Sequence, residues 1–186
     1  CGPFFIATQY LSSGGWSISI RRIPESFIWY LVPAALLGLV LLFAGGIDEL
    51  FIWLHLDTIH NEAERQLIEK KTGFLNRSGI IYSTIGAFAT WILFSFLMRR
   101  TSIAQDETAE ADLFERNKIY SALFLIFFVV GFSLLSWYWL MSLEPAWFST
   151  MWQVYMFAAL FQTGLALMTV ILLGLQDHDY FGDFAG

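Results

Sequence analysis

Four stretches of the chain contain no Asp, Glu, Lys or Arg, and polar connections separate them. These stretches are Ser26–Ile47, Ser78–Met98, Ile119–Leu143 and Pro145–Gln176. Each reaches or exceeds the roughly 20 residues that a helix needs to cross about 30 Å of hydrocarbon. Because hydrocarbon offers no hydrogen-bond partner to backbone amides, such stretches are helical. The pattern predicts an all-α, polytopic transmembrane bundle with four full spans, at about residues 26–47, 78–98, 119–143 and 151–175, in a single membrane domain over residues 1–186.

The residues before the first span are also apolar. Pro3–Leu11 is rich in aromatic and aliphatic side chains, and a Ser/Gly break follows at residues 12–15. We expect this run to be the tail of an earlier membrane helix, so that the chain is a fragment of a larger bundle. The alternative, a lipidated N-terminal Cys1, would suit a polar tether better than this apolar run.

The connection between the first two spans has an amphipathic pattern. Ile59, Ala63 and Leu67 recur every four residues, and charged residues lie on the other faces: Glu62, Glu64, Arg65, Glu69, Lys70 and Lys71. This spacing predicts a surface helix over about residues 57–71. Two interpretations are equally open: a solvated helix along the membrane interface, and a helix that docks under a partner subunit.

Two further patterns predict packing contacts. The second span carries a stripe of small side chains, which lets helices approach closely in lipid; its members are Gly79, Ser83, Gly86, Ala87 and Thr90. Aromatic side chains crowd the turn Ser136–Thr150 between the third and fourth spans, where Glu144 is the sole ionisable residue. Ser149 or Thr150 is expected to cap the fourth span.

Composition and charge exclude several classes of protein. Apolar residues make up 57% of the chain and aromatic residues 18%, more than one soluble core of this size can bury. The same richness excludes disorder, the single Cys excludes a disulfide scaffold, and ten Lys and Arg against sixteen Asp and Glu argue against nucleic-acid binding. Basic residues near the span ends are more numerous on the side of the membrane that holds Arg21 and Arg99 than on the opposite side. This excess predicts that the Arg21 side faces the cytoplasm.

The sequence lacks the usual motifs for attached haem, iron–sulfur clusters and nucleotides. Its three histidines, His55, His60 and His178, lie outside the spans, so no metal site is predicted. The remaining candidates for a proton path or a quinone pocket are polar residues at the span edges and one amide within a span: Arg21, Arg22, Glu25, Asp48, Glu49, Glu144 and Gln162.

Each of these candidates also has a structural interpretation. Arg21 or Arg22 would anchor a helix end or pair with Glu25. Asp48 and Glu49 would anchor the end of the first span at the interface. Gln162 would form an interhelical hydrogen bond.

Two segments of the chain resemble a known family. Ala7–Glu25 (ATQYLSSGGWSISIRRIPE) and Ser136–Phe157 (SWYWLMSLEPAWFSTMWQVYMF) are similar to the ActF-type integral membrane subunit of bacterial alternative complex III, and Leu93–Arg100 also fits that family. The residues that carry the resemblance are Trp16, Pro24, Trp137, Met141, Ser142, Pro145, Trp147, Phe148, Ser149 and Thr150. The chain departs from the family at Tyr138, where Asp is frequent, and at Ala146, where His is frequent.

The resemblance implies a role in respiration or photosynthesis. Alternative complex III is a quinol:electron-acceptor oxidoreductase of the bacterial inner (cytoplasmic) membrane, and its ActF-type and ActC-type subunits are similar to NrfD/polysulfide-reductase membrane subunits. The chain would then be a non-haem subunit that binds no cofactor of its own. It could contribute to a menaquinol or quinone pocket, or to a proton path. Haem c and iron–sulfur clusters would lie in partner subunits, and the other partners would be membrane lipids and an ActC-like subunit.

Two other functions are open from the sequence. A purely structural subunit would use the small-residue stripe and the aromatic turn for partner contacts. A secondary transporter would need an internal repeat with broken helices in corresponding positions. The first span has a candidate kink at Pro33, but the third and fourth spans show no matching break.

Overall fold

The structure, a computed structural model, describes residues 1–108 and 111–177. Within this part the chain forms eight α-helices: Gly2–Leu11 (α1), Arg22–Ser26 (α2), Ile28–Phe43 (α3), Gly46–Leu50 (α4), Glu62–Glu69 (α5), Arg77–Thr108 (α6), Ala111–Leu135 (α7) and Trp152–Asp177 (α8). Short 3₁₀ turns occupy Gly15–Ile20, Ile52–Leu54, Leu56–Thr58 and Met141–Leu143. The predicted all-α bundle is confirmed, whereas His178 lies outside the described residues.

Four helical segments are long and apolar enough to cross a membrane, as predicted. They are Arg22–Phe43, Arg77–Asp106, Asp112–Leu143 and Trp152–Gln176. The first begins earlier than predicted because Pro24 fits the first turn of α2, where its missing N–H removes no helical hydrogen bond. It ends earlier because Gly45 adopts a φ of 86°, which a helix cannot contain. Between these limits α3 passes through Pro33 as one helix.

The second span differs more from its prediction. We expected it to end at about Met98. Instead α6 continues to Thr108, and α7 begins at Ala111, well before the predicted start of the third span. The extension has a physical reason, because Asp106 on the added turns pairs with arginines at the start of the first span.

The spans alternate in direction and give the bundle two ends. The Arg21 end contains the start of α2, the last turns of α6 and the start of α7, as the contact between Glu25 and Ser102 requires. The Trp147 end contains the end of α3, the start of α6 and the aromatic turn, because Arg77 pairs with Asp48 and the Tyr138 hydroxyl donates to the Phe74 carbonyl at 2.8 Å. Each crossing helix therefore joins one end to the other.

Packing between α6 and α7 forms the centre of the bundle. Trp91, Met98, Phe124 and Phe128 are buried there together with Ala7 and Ala87. A Cβ atom on Gly131 would lie 3.0 Å from the Ala87 Cβ and 3.2 Å from the Trp91 ring, so this glycine sets how closely the two helices approach. On the same helix, the rings of Phe124, Phe128 and Phe132 stack along α7, and the centres of neighbouring rings are 5.6 Å apart.

The small-residue stripe on α6 is used only in part. Ala87 packs against Gly131, and Gly79 faces the Tyr138 ring, so the predicted helix contact is confirmed at these positions. At Gly86 it is wrong, since a Cβ atom there would meet nothing within 4 Å. The stripe is wider than the contact, because α7 covers only one side of it.

The connection before α6 folds over the Trp147 end. We expected one amphipathic helix over residues 57–71 with Ile59, Ala63 and Leu67 on its apolar face. The observed helix is shorter, since Asn61 caps it by accepting hydrogen bonds from the N–H groups of Ala63 and Glu64. Ile59 precedes the helix and is buried in the core, as is Ile68 of α5. Ala63 and Leu67 are exposed on the outer side of α5, where an interfacial or docked helix would present its apolar residues.

The helical geometry changes after the end of α7, in the first residues of the aromatic turn. The helix passes at Ser136–Leu140 into a π-helical turn, and a 3₁₀ turn over Met141–Leu143 follows. The π turn is fixed from two sides. The Trp139 indole N–H donates to the Thr84 hydroxyl at 2.8 Å, and the Trp152 indole N–H donates to the Ser136 carbonyl at 3.3 Å.

Two glycines of α6 provide a test of this packing. A Cβ atom at Gly79 would collide with the Tyr138 hydroxyl and disrupt its hydrogen bond to Phe74, whereas Gly86 has open space around it. We expect Gly79→Ala to lower the free energy of unfolding by about 1–3 kcal/mol, as overpacking does. Gly86→Ala should raise the free energy of unfolding by up to about 1 kcal/mol, because Ala has a higher helix propensity than Gly. Unfolding in mixed detergent micelles measures both changes, and equal effects of the two substitutions would contradict the described α6–α7 contact.

Candidate functional site

Charged side chains meet at the Arg21 end around the carboxylate of Glu25. Glu25 is only 2% exposed. Its Oε2 accepts a hydrogen bond from the Arg22 guanidinium, its Oε1 accepts one from the Ser102 hydroxyl, and Arg21 Nε lies 3.6 Å from Oε1. Of the two structural interpretations that the sequence left open, pairing with Glu25 is the one observed, and it involves both arginines. The i,i+3 and i,i+4 spacing on α2 brings these three side chains together.

Asp106 completes the network from α6. Its Oδ1 accepts a hydrogen bond from Arg21 at 2.8 Å, and its Oδ2 accepts one from Arg22. The Asp106 side chain is 51% exposed, so this carboxylate lies where the network meets solvent. The cluster balances two guanidinium groups against two carboxylates, which reduces the cost of burying Glu25.

Tyr10 and Gln105 extend the network toward α1. The Arg21 guanidinium donates to the Tyr10 hydroxyl at 3.0 Å and to the Gln105 side-chain carbonyl at 3.4 Å. The Tyr10 hydroxyl in turn donates to Gln105 at 3.0 Å. Arg21 thus connects three helices, and its side chain is held in one place by α1, α2 and α6.

A pocket of about 230 Å³ opens beside Arg21. Its walls are mainly apolar and include Phe5, Pro24 and Phe114, while its polar side is formed by Gln9, Tyr10 and Arg21. The side-chain oxygen of Gln9 is buried and has no hydrogen-bond partner. An apolar slot with a few fixed polar groups is the usual form of a small-molecule site. Arg21 is the one residue of the predicted charged set that lines a described pocket.

The other predicted polar residues are not near this pocket. Asp48 lies at the start of α4, pairs with Arg77 and has the His55 ring nitrogen at 4.0 Å. Glu49 is exposed beside it. This placement agrees with the interpretation of an anchored helix end rather than with a pathway into the bundle.

Gln162 does not form the interhelical hydrogen bond that we expected. Its side chain is exposed on the outer face of α8 and has no hydrogen-bond partner within the described residues. The expectation is wrong because the helices of the described chain pack on other faces of α8. No described pocket includes Gln162.

Most residues that carry the family resemblance gather at the Trp147 end. One pocket of about 290 Å³ is lined by six of them, Trp137, Met141, Ser142, Pro145, Trp147 and Phe148, together with Lys70, Lys71, Phe74 and Leu75. Glu144 lies exposed in the same turn. The contact between this turn and the loop before α6 could not be predicted from the sequence, because contacts between distant segments leave no periodic signal.

The remaining residues of the resemblance lie elsewhere. Ser149 accepts a hydrogen bond from the Met151 N–H at 3.3 Å. Because Met151 precedes α8, this bond is not the expected cap of the helix's first turn, and Thr150 is exposed. Pro24 is buried beneath α1, and Trp16 is 66% exposed with its ring edge against Phe5.

An apolar cavity of about 540 Å³ lies deeper in the bundle, between α1, α3, α6, α7 and α8. None of the predicted charged residues lines it. Among the residues that the structure describes, no three His, Cys, Asp or Glu side chains are grouped so as to hold a metal ion.

Four residues of the Arg21–Glu25 network were not predicted from the sequence: Ser102, Asp106, Tyr10 and Gln105. The first two share a helix face at i,i+4 spacing, which is informative only if the helix is known to continue beyond Arg100. Tyr10 and Gln105 are ordinary residues in their own segments. Their role in the network depends on the packing of α1 beside α6.

Two carboxylates allow the network to be tested for stability. Replacing Glu25 by Ala leaves Arg21 and Arg22 with one carboxylate instead of two, at a buried site. We expect the free energy of unfolding to fall by about 3 kcal/mol, the lower limit for breaking a buried ion pair. Glu144→Ala is the matched control because Glu144 is exposed and forms no ion pair among the described residues. Its stability should match the unmodified chain, and an equal loss in both variants would contradict the assigned role of Glu25.

The chain has no detected match among known proteins. A scan against protein-family models, a search of curated proteins and a search of solved structures each found no match to the chain. The resemblance to ActF-type subunits therefore stays a prediction that depends on the residues quoted for it.

Proposed function

We propose that the chain is a non-haem integral membrane subunit of a quinol-oxidising electron-transfer complex similar to alternative complex III. In this proposal it anchors the complex in the bilayer and contributes a quinol pocket at the Arg21 end. The proposal combines the family resemblance of Ala7–Glu25 with the position of that segment. The single observation that carries it is the pocket between α1 and the Arg21–Glu25 network.

The shape and polarity of this pocket suit a quinol headgroup. A flat aromatic ring would lie between apolar walls that include Phe5 and Phe114, and about 230 Å³ is enough for one or two fused rings. A quinol hydroxyl needs an acceptor, and the unpartnered Gln9 oxygen is one. A quinone carbonyl needs a donor, which Arg21 or Tyr10 would supply. When bound, quinol would supply two electrons and two protons to the complex.

The network would keep this pocket in a defined shape. Arg21 is held by Tyr10, Gln105, Glu25 and Asp106, so its guanidinium has little freedom to move. Fixed polar groups bind a ligand without an additional cost of ordering side chains. The half-exposed Asp106 lies at the outer edge of the network, where its carboxylate meets solvent.

Assembly with other subunits is supported by the surfaces of α3 and α8. In their most apolar windows only 17% of the first span and 11% of the fourth are buried within the chain. In a complex, these faces would contact lipids and an ActC-like membrane subunit. Haem c and iron–sulfur clusters would belong to further partners, and the location would be the bacterial inner membrane.

Two glutamines provide the experimental test. Gln9 adjoins the pocket, whereas Gln162 is exposed on α8, and replacement by Leu removes the amide from each without a large change in size. We expect Gln9→Leu to raise the KM for quinol about tenfold, the effect of losing one hydrogen bond to the substrate. Gln162→Leu should leave KM unchanged. The measurement is quinol-dependent reduction of an acceptor by the complex purified from its native membrane in mild detergent.

The same preparations separate the alternatives. The haem spectrum and the co-purified subunits show whether each variant is assembled. If both variants oxidise quinol normally within an assembled, haem-containing complex, the chain is a structural scaffold rather than part of a quinol pocket. An intact preparation without haem and without quinol oxidation would contradict the proposal as a whole and would favour a transporter.

A further inference from the structure

The pocket at the Trp147 end combines two lysines with an aromatic wall. Lys70 and Lys71 line it together with Phe74, Trp137, Trp147 and Phe148. Its volume is about 290 Å³. Neither the proposed quinol site nor the charged network at the opposite end uses these residues.

Lys71 is held in position by the aromatic turn. Its ammonium donates to the Pro145 carbonyl at 2.5 Å and lies 3.5 Å from the Trp147 carbonyl. The same group lies 5.7 Å from the centre of the Phe148 ring. An ammonium group has three N–H donors, so one donor is left for a further acceptor.

The positive charge of this pocket is not balanced by the chain. Within the described residues, no carboxylate lies within ion-pair distance of Lys70 or Lys71, although Arg21, Arg22, Arg77 and Lys118 all have such partners. Lys70 is exposed, and Glu144 in the neighbouring turn is exposed without an ion pair. The pocket therefore suits an anion.

The position of the pocket indicates what kind of anion it suits. It lies where the third span ends at Leu143 and the fourth begins at Trp152, which is the level of the lipid headgroups. Exposed apolar side chains lie in the same connection, next to the start of α8: Leu143 is 49% exposed, Phe148 68% and Met151 63%. A ligand with a phosphate at one end and an apolar chain at the other would satisfy both surfaces.

We propose that this pocket binds the phosphate of an anionic membrane phospholipid. Lys70 and the free donor of Lys71 contact the phosphate oxygens, and the acyl chains lie along Phe148 and the start of α8. The Trp137 and Trp147 rings take the position at the headgroup level that Trp side chains favour. The bound lipid links α5 to the turn before α8, because Lys71 contacts both.

Lipid retention by the purified full chain tests this proposal. Phosphatidylglycerol is titrated into the chain in mild detergent, and native mass spectrometry measures the affinity of the first bound lipid. Lys70→Gln should weaken this affinity about fivefold, the effect of one basic residue beside an anionic lipid surface. Lys70→Arg should restore it, because the charge is kept. The Lys70 side chain forms no hydrogen bond within the described chain, so Lys70→Gln leaves the anchoring contacts of Lys71 intact.

Matched controls decide between local and general effects. Arg65→Gln removes the same charge from α5 outside the pocket and should leave the affinity unchanged. Equal weakening by Arg65→Gln, or equal affinity for zwitterionic phosphatidylcholine, would overturn the proposal. Displacement of the lipid by inorganic phosphate at comparable concentration would also overturn it, since the site would then recognise free phosphate. Quinol oxidation is not measured here, so failure of this proposal is distinguishable from failure of the proposed function.

Discussion

The buried carboxylate of Glu25 limits how the helices at the Arg21 end can be arranged. Removing one ion from water costs several kcal/mol even after relaxation, so this carboxylate needs close partners of opposite charge. Arg21 and Arg22 supply that charge, and they pair in turn with Asp106, which lies more than eighty residues away in the sequence. For Asp106 to reach them, α6 must remain helical well past its apolar section.

The opposite end of the bundle is held by a different kind of contact. There, side chains bind backbone carbonyls: Tyr138 donates to Phe74, and Lys71 donates to Pro145. The Phe74 and Tyr138 rings also stack, with their centres 4.7 Å apart. Such contacts depend on the path of the backbone more than on the identity of the residue whose carbonyl accepts. The Arg21 end is thus held mainly by a network of charges, whereas the Trp147 end adds contacts to backbone carbonyls and between aromatic rings to its exposed Arg77–Asp48 pair.

The crossing helices could be predicted because the bilayer imposes one solution on any long apolar stretch. The pairing of Glu25 with its two arginines could also be predicted, since all three lie within one helical turn. Asp106 could not, because Arg99 and Arg100 look like the end of a span when hydropathy alone is considered. Nor could the exposure of Leu67 and the burial of Ile68, which depend on where Asn61 starts the helix. For Asp106 the missing information was a contact between segments far apart in the sequence, and for α5 it was the position at which the helix starts.

The π-helical turn at Ser136–Leu140 has a consequence for how this region can vary. A π turn contains one residue more than an α-helix uses to cover the same path. Every side chain after it is therefore rotated by about 100° relative to an uninterrupted helix. Removal of one residue from this turn would restore regular α geometry and point the aromatic side chains beyond it in new directions. The orientation of the Trp147 end is thus encoded by the number of residues in α7 as well as by their chemistry, and relatives that lacked the extra residue would present a different surface there.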